Sequence, residues 1–417
     1  MTSSEAPRPA PPLSAPPLSV EEARSRILAS ARPAGTEWVP LSDGWGRWLA
    51  TDVVARLTHP PADVSSMDGY AVRASDTRPG AALRVVGQAP AGHPYAGSLS
   101  PGQAVRLFTG SVIPAGADAV IAQEDTDQGE AIVTLASATP RGRFIRPAGQ
   151  DFRAGETVLS AGRKLTARDL GLAAAANHPW LPVARPPRVA LLATGDEIAL
   201  PGMDVPTGGI VSSNTHALAA IVRSAGAEPT NLGIAPDQAD SVRAVAASLS
   251  GFDLLVTTGG ASVGTFDLVQ SGLSQAGMRL GFWKIAMRPG RPLLFGSLGD
   301  TPILGLPGNP VSAVVCALMF LLPLLERMQG GPGLPPRPRR ALAGEALPEN
   351  DSRADHLRAT LSERADGTLV ATPFARQDSG MLAFLAKAEA LVLRAPHAPA
   401  VAQGEPVAVI VLGEHGV

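Results

Sequence analysis

The sequence predicts a multidomain α/β plus β protein, with a central three-layer α/β/α domain on a parallel sheet and a mainly β module on either side. Length is the first observation: at 417 residues and roughly 150 residues per domain, about three domains are expected. The second is a pair of proline-rich joints, PWLPVARPPR at 179–188 and GGPGLPPRPRR at 330–340. Proline fixes φ and lacks the N–H, so neither a helix nor a ladder continues easily through them. The third is the change of texture at those joints. Between them, strand-like and helix-length stretches alternate: RVALLATG, THALAAIVRSAG, PTNLGIA, DQADSVRAVAASLS, DLLVTTGG, and TPILGLPG leading into a helix after Asn309. Such a βαβ series forces a mostly parallel sheet with helices on both faces. Before the first joint, ALRVVGQ, QAVRLFTG and AVIAQED alternate with Gly and Pro turns, as in an antiparallel β module. Residues 340–417 repeat that texture on a smaller scale.

Composition narrows the function classes. Charged residues are 17% of the chain and the formal net charge is -2, so no global basic field would draw nucleic acid or an anionic membrane surface. An anionic ligand must be met by local groups. The single cysteine, Cys316, lies in the apolar run Val311–Leu325, which excludes a disulfide scaffold or cysteine-rich zinc site and points to a reducing, cytoplasmic setting. That run is the one membrane suspect; its 15 residues fall short of the roughly 20 a span needs, so a buried core helix is expected. Residues 1–18 are proline-rich without an apolar h-region and are expected to be a disordered extension. Folding begins at Ser19, which with Glu22 makes a capping-box pattern ahead of VEEARSRILASA.

In a doubly wound domain, ligands gather where loops leave the carboxyl ends of the strands, which directs attention to ATGDE, TTGGASVG and GLPGNP. Gly259, Gly260 and Gly264 of TTGGASVGTFD follow an apolar strand and allow backbone N–H groups to converge without β-carbons in the way. An ordinary strand-to-helix turn explains that loop equally well when it is taken alone. Pro307, Gly308, Asn309 and Pro310 stand directly before a long apolar helix, so its free N–H groups would face the same crevice; simple helix initiation by Asn and Pro is the plainer account. In FWKIAMRPGRP, Lys284, Arg288 and Arg291 lie around a Pro-Gly turn beside Phe282, Trp283 and Met287. That is either solvated surface charge or a phosphate and oxyanion grip anchored at a crevice mouth.

Carboxylates complete the set. Glu197, Asp237 and Asp267 sit at or just after strand ends, and Asp68 and Asp151 come from the N-terminal module. Carboxylates alone repel anions, so anion binding beside them implies a hard cation such as Mg²⁺ or a base role for one acid. Asp68 precedes Gly69, a common hairpin-turn pair, and turn chemistry is an alternative for it. No HExxH or cysteine pair occurs, which speaks against a zinc or iron site.

In order, SSMDGYAVR, FTGSVIPAGADAVI, IRPAGQDF, ATGDEI, SNTHAL, TTGGASVGTFD, FWKIAMRPGRP, LPGNPVSA and SGML resemble the molybdopterin molybdenumtransferase (MoeA) family and, with it, the E domain of gephyrin, over about residues 19–415. The resemblance implies a molybdopterin-binding central domain at 183–330 in an elongated chain. It adds an N-terminal module at 19–182 with a helical dimerisation part and a β subdomain inserted at about 52–150, and a small β-barrel-like domain at 340–417. It implies a homodimer with a shared site, in which adenylylated molybdopterin and molybdate are the substrates, Mg²⁺ assists hydrolysis, AMP leaves, and molybdenum is ligated by the dithiolene.

Carried over by position, Asp68, Thr109 and Asp151 match active-site positions of the N-terminal module. Glu197, Asp237, Asp267 and Lys284 match those of the sheet domain, and Ser379 and Arg358 those of the C-terminal module. Asp68, Asp151, Glu197, Asp237, Asp267 and Lys284 are the catalytic candidates, with Glu197, Asp237 and Asp267 expected to hold Mg²⁺ and position water. Lys284 with Gly259, Gly260, Ser262, Gly264, Pro307, Gly308 and Asn309 would take phosphate and pterin, and Arg288, Arg291, Arg358 and Ser379 molybdate; Thr109, Thr194 and Gly195 are further substrate-binding candidates. The chain reads RPGRP where the family often has KPGKP, and GQD at 149–151 where it has GED. The first keeps charge but replaces a point charge by a fork; the second loses a charge at Gln150.

Two rivals remain. A molybdopterin adenylyltransferase shares such a sheet domain but needs no flanking modules, and a non-catalytic scaffold or pterin carrier would not need the retained acids. The adenylyltransferase and cofactor-free molybdoenzymes are candidate protein partners. Molybdate and tungstate are not separated by the sequence.

Overall fold

The computed structural model describes residues 16–236, 238, 240, 241, 244, 245, 248–259 and 277–417. The proposed extension therefore lies almost wholly outside the described residues. Leu18 is already tied down, its N–H donating to Lys284 O at 3.1 Å while its carbonyl accepts from Ala286 N–H at 2.8 Å. Two compact units emerge: one holds residues to Glu37, Gly46–Ala50 and Val183–Val417, the other Trp38–Trp45 and Thr51–Pro182.

The first unit is built on a six-stranded sheet. Its strands are β1 (Arg188–Thr194), β2 (Glu228–Ala235), β3 (Leu254–Gly259), β4 (Met278–Lys284), β5 (Pro292–Leu298) and β6 (Thr301–Leu306), in the order β2-β1-β3-β6-β5-β4. The pairs β2–β1, β1–β3 and β3–β6 are parallel, whereas β6–β5 and β5–β4 are antiparallel. The parallel sheet expected from the βαβ series is thus a mixed sheet. The short link Gly299–Asp300 between β5 and β6 allows only a hairpin, because a parallel return needs a crossover of a dozen or more residues.

One face of this sheet is covered by α1 (Val20–Ala29), α2 (Asn214–Ser224) and the long helix α3 (Pro310–Met328). In α1 the Ser19 hydroxyl caps Glu22 N–H at 3.1 Å. The side chain of Glu22 reaches forward to Arg26, so only half of the expected capping box forms. Val20, Ala23 and Ile27 recur at helical spacing and are buried with Leu324 and Met328 of α3 in the main core. This first helix packs with the sheet unit. Helix α3 has 19 residues and is long and apolar enough to cross a membrane, which corrects the expectation from its shorter apolar run. Burial, not length, marks it as a core helix: 83% of its apolar window is inside the fold. A π-helical turn at Ala317–Leu321 precedes Pro323, whose ring and missing N–H disrupt the regular ladder.

The C-terminal strands Ala354–Glu363, Leu369–Pro373, Arg339–Ala343, Pro406–Val411 and Ala390–Arg394 pair in that order, and the last pairs back to the first, so five strands close a barrel. Its core is small, with Ala341, Ala343, Ala359, Ala371, Ala390 and Val409. His356 is buried at 5% exposure, its Nδ1 has no partner, and burial pushes its pKa from 6.5 down to about 4. The unfolded chain binds that proton near pH 6.5, so its contribution is fully present above about pH 6.5. It is lost as pH falls to about 4, amounting to at most ~3 kcal/mol. Urea unfolding across pH 4–7 is expected to show this loss in the wild type and a shallower one in His356→Leu.

In the second unit a five-stranded sheet runs in the order Ala119–Ala122, Gly69–Val72, Gln103–Leu107, Ala82–Ala89, Ile132–Thr134. Only Ala82–Ala89 with Gln103–Leu107 is parallel, a departure from the all-antiparallel module expected. Apolar side chains pack on both of its faces.

Candidate active site

The carboxyl ends of β1 and β3 and the turn after β6 meet at a cavity of about 820 Å³. Backbone approaches at its floor are close, and at Gly259 only glycine fits. Gly259 has φ +97°, and a β-carbon there would lie 2.1 Å from Thr194 O; one on Gly308 would lie 3.3 Å from Gly259 Cα. Gly195 has φ +144°, and a β-carbon would stand 2.6 Å from Glu197 Oε2, so the Glu197 carboxylate folds back over this glycine. Glu197, Gly259, Pro307, Gly308 and Asn309 all line the cavity.

Asn214, the first residue of α2, ties these ends together. Its Nδ2 donates to Thr258 Oγ1 at 2.8 Å and to Gly308 O at 2.7 Å. Among the described residues its Oδ1 and the Thr194 Oγ1 are buried without a hydrogen-bond partner, as happens where a ligand completes a polar site. Asn309 precedes α3, yet its side chain does not cap it. Asn309 Nδ2 donates instead to Ser379 Oγ at 2.8 Å, and Val311 N–H donates to Ser379 O at 3.1 Å. A barrel loop therefore closes over the start of α3, and its Gly380 and Leu382 line the same cavity.

The cations part company. Lys284 ends β4 opposite Pro292, a cavity residue, with its Nζ 3.6 Å from the Trp283 ring centroid. Arg291 is exposed on the turn beside Pro292. Arg288 is engaged elsewhere: Met287–Arg288 pairs with Ala354–Asp355 of the barrel, and the guanidinium forms ion pairs with Asp355 and, at 3.1 Å, with Asp351. Asp351 is held down at about 2 by its hydrogen bonds from Arg353, with Arg288 adding to the effect. Arg358 is 1% exposed and donates to Met381 O at 3.1 Å, Arg376 O at 3.3 Å and Asp378 O at 2.9 Å. Neither arginine offers a free fork to an oxyanion in this structure. Gly290, φ +116°, admits Cys316 against its backbone; burial pushes that thiol up, in keeping with a core role.

In the second unit, Asp68 accepts from Thr109 N–H at 2.7 Å and Thr109 Oγ1 at 2.9 Å. These bonds, the backbone one foremost, and then Arg106 hold its carboxyl below the usual range. Asp68-Gly69 is no hairpin turn. Gly69 opens a buried strand paired on both sides, where a β-carbon would lie 1.9 Å from Ile121 O. Asp151 is exposed, its N–H donating to His59 O at 3.1 Å.

Family models match the chain in three consecutive segments: the MoeA N-terminal region (domain I and II) at 18–177, "Probable molybdopterin binding domain" at 190–327, and the MoeA C-terminal region (domain IV) at 340–412. Molybdopterin molybdenumtransferase 2 of Mycobacterium tuberculosis is 38% identical over 387 residues, 90% of this chain and 94% of the relative. The chain belongs to the molybdopterin molybdenumtransferase family. The Bacillus subtilis molybdopterin molybdenumtransferase is 32% identical over 95% of both chains. A molybdopterin biosynthesis MoeA protein from Pyrococcus horikoshii superposes with a TM-score of 0.81 at 26% identity, covering 95% of this chain and 100% of that one.

Within this MoeA-family chain the structure brings Thr194, Gly195, Glu197, Gly259, Pro307, Gly308, Asn309 and Ser379 together around one floor. Asp237, Gly260, Ser262, Gly264 and Asp267 lie outside the described residues. Sequence reading missed Asn214 and Thr258 as site residues, although SNTHAL and TTGG contain them. Among the described residues no group of three His, Cys, Asp or Glu side chains could hold a metal. Of the expected Mg²⁺ set only Glu197 is described, and its carboxylate at the cavity is a hard oxygen donor of the right kind.

Proposed function

We propose that this chain transfers molybdenum from molybdate to adenylylated molybdopterin with hydrolytic release of AMP. The observation that carries it is the cavity at the sheet's carboxyl edge. It combines close glycine backbone approaches, the start of a 19-residue helix and the Glu197 carboxylate, in a chain whose residues 18–177, 190–327 and 340–412 match the MoeA N-terminal, molybdopterin-binding and MoeA C-terminal models. Water adds to phosphorus, the phosphoanhydride P–O bond breaks and AMP departs; the two dithiolene thiols displace one oxo group of molybdate, which leaves with their two protons as water. In this reading the helix start and glycine turns bind the phosphate oxygens, and Lys284 contributes a further positive charge. Asp68, Thr109 and Asp151 are further candidates for the same reaction. Glu197 with Asp237 and Asp267 would hold Mg²⁺, which when bound polarises the phosphate and acidifies a water.

Supplying adenylylated molybdopterin, Mg²⁺ and micromolar molybdate is expected to give molybdate-dependent AMP release and reconstitution of a cofactor-free molybdoenzyme. Removing Mg²⁺ with EDTA should stop both, and adding it back should restore them. Nucleotide binding with no AMP release under any metal or oxyanion condition would remove the catalytic reading and leave a carrier. Molybdopterin and ATP alone should yield no adenylylated pterin, in contrast to an adenylyltransferase, which needs no β modules beside its sheet domain.

A homodimer is part of the proposal. Trp38, Trp45 and Trp180 are 63%, 74% and 51% exposed in the second unit and are aromatic side chains that such an interface could cover. Sedimentation equilibrium is expected to give twice the chain mass. The buried, lone Cys316 supports a reducing cytoplasmic setting, where the adenylyltransferase and cofactor-free molybdoenzymes would be met.

A further inference from the structure

The second unit holds a cavity of its own, about 710 Å³, a size that suits a small-molecule ligand. Three strands supply a row of side chains across its floor: Tyr70 stands opposite Arg106, and Arg106 opposite Gln88. Gln88 reaches that register through an irregularity after Val85, where two residues of one strand face one of the other, and such bulges re-aim side chains. Tyr70 is 2% exposed and its hydroxyl donates to Gly129 O at 3.1 Å, which ties the floor to the turn carrying Glu130. Arg106 is held in place: its Cζ lies 4.9 Å from the Tyr70 ring centroid and 5.5 Å from that of Phe108, and its Nη2 donates to Gln123 Oε1. Its Nη1 is buried and, among the described residues, has no hydrogen-bond partner, so one donor is left for an outside acceptor. Phe108 is 37% exposed at the cavity, a ring open to stacking.

We propose that this cavity binds a flat aminopyrimidinone fused to a second ring, the head group shared by pterins and guanine. Such a bicycle has an acceptor edge, a ring carbonyl beside a ring nitrogen, and a donor edge, an amino group beside a ring N–H. Arginine complements the first edge and a carboxylate the second, and Arg106 and Glu130 line this cavity together. Phe108 supplies the stacking face, and Gln88 an amide that serves either edge. Adenine fits the pattern poorly, since it has no ring carbonyl and sets an amino group where Arg106 needs an acceptor. The inference stands apart from the molybdenum-transfer reading, because it concerns binding in the other unit and is tested without turnover.

The test is to titrate the intact chain with pterin, GMP and AMP, and to locate each ligand by hydrogen exchange. Saturable binding of pterin or GMP is expected, with slower exchange at residues 85–88, 106–108 and 128–130. Protection by pterin alone would mark the ligand as a pterin, and protection by GMP alone as a guanine nucleotide; either result supports the shared chemistry. Glu130→Gln removes the carboxylate and should weaken that binding about tenfold. Phe108→Leu keeps an apolar side chain but loses the ring, and should weaken it by about the same factor. Both residues are exposed, so neither change should move the thermal midpoint. Glu197→Ala, in the other unit, should leave this binding within about twofold. Protection confined to the sheet unit would overturn the proposal, as would a pterin and GMP affinity that neither Glu130→Gln nor Phe108→Leu alters. AMP bound as tightly as pterin and GMP, with the same protection, would remove the roles of Arg106 and Glu130 at the two ring edges and overturn it equally.

Discussion

Replacing Glu197 by alanine is expected to lower the rate of AMP release about 10²-fold or more, a loss of ~3 kcal/mol of transition-state stabilisation, without shifting the thermal midpoint. Glu197 is exposed at the cavity rim, so no core contact depends on its carboxylate, and surface substitutions of this kind usually change stability by less than about 0.5 kcal/mol. Its effect must come from chemistry. Glu197→Gln keeps the shape and should be nearly as poor if the carboxylate serves a metal, since a neutral amide is a weaker ligand for a hard cation. Wild-type release rates in both variants at saturating Mg²⁺ would take Glu197 out of the reaction and with it the described member of the metal set.

Gly69→Ala is expected to be the most damaging conservative change in the second unit, costing roughly 2–4 kcal/mol of stability in urea unfolding of the intact chain. A β-carbon there would overlap Ile121 O at 1.9 Å, and the clash is with backbone that cannot rotate away. Gly69 pairs with both Leu107 and Ala122, so relief would require the sheet to open. The adjacent Asp68 would lose its register with Thr109, whose N–H and hydroxyl hold its carboxylate, and activity should fall together with stability. A variant as stable as the wild type would show that the strand can shift at little cost and that Gly69 is a turn residue in effect, as its sequence setting suggested.

The difference between those readings of Gly69 shows where sequence reasoning stops. Asp-Gly is a turn signal by local geometry, and nothing within a few residues announces that a neighbouring strand will press its carbonyl against this position. The same holds for the arginines. Arg288 and Arg358 stand in motifs as positive charges fit for an oxyanion. The structure gives one to Asp351 and Asp355 of the barrel and the other to three loop carbonyls. Asn214 was passed over for the opposite reason: asparagine at a helix start is ordinary, and its links to Thr258 and Gly308 join residues 44 and 94 positions away.

By itself, the sequence determined the family, the alternation of strands and helices in the middle segment, and the loops that end in Glu197, Gly259 and Asn309. Each of these is written in neighbouring residues, through hydrophobic period, backbone freedom and turn chemistry. Only the tertiary structure decided that the sheet ends in an antiparallel hairpin, that the C-terminal strands close on themselves, and that the loop bearing Ser379 comes down on the start of α3. Those outcomes depend on which distant groups satisfy one another's hydrogen bonds and charges once the core has excluded water, and a linear reading contains the groups but not their pairing.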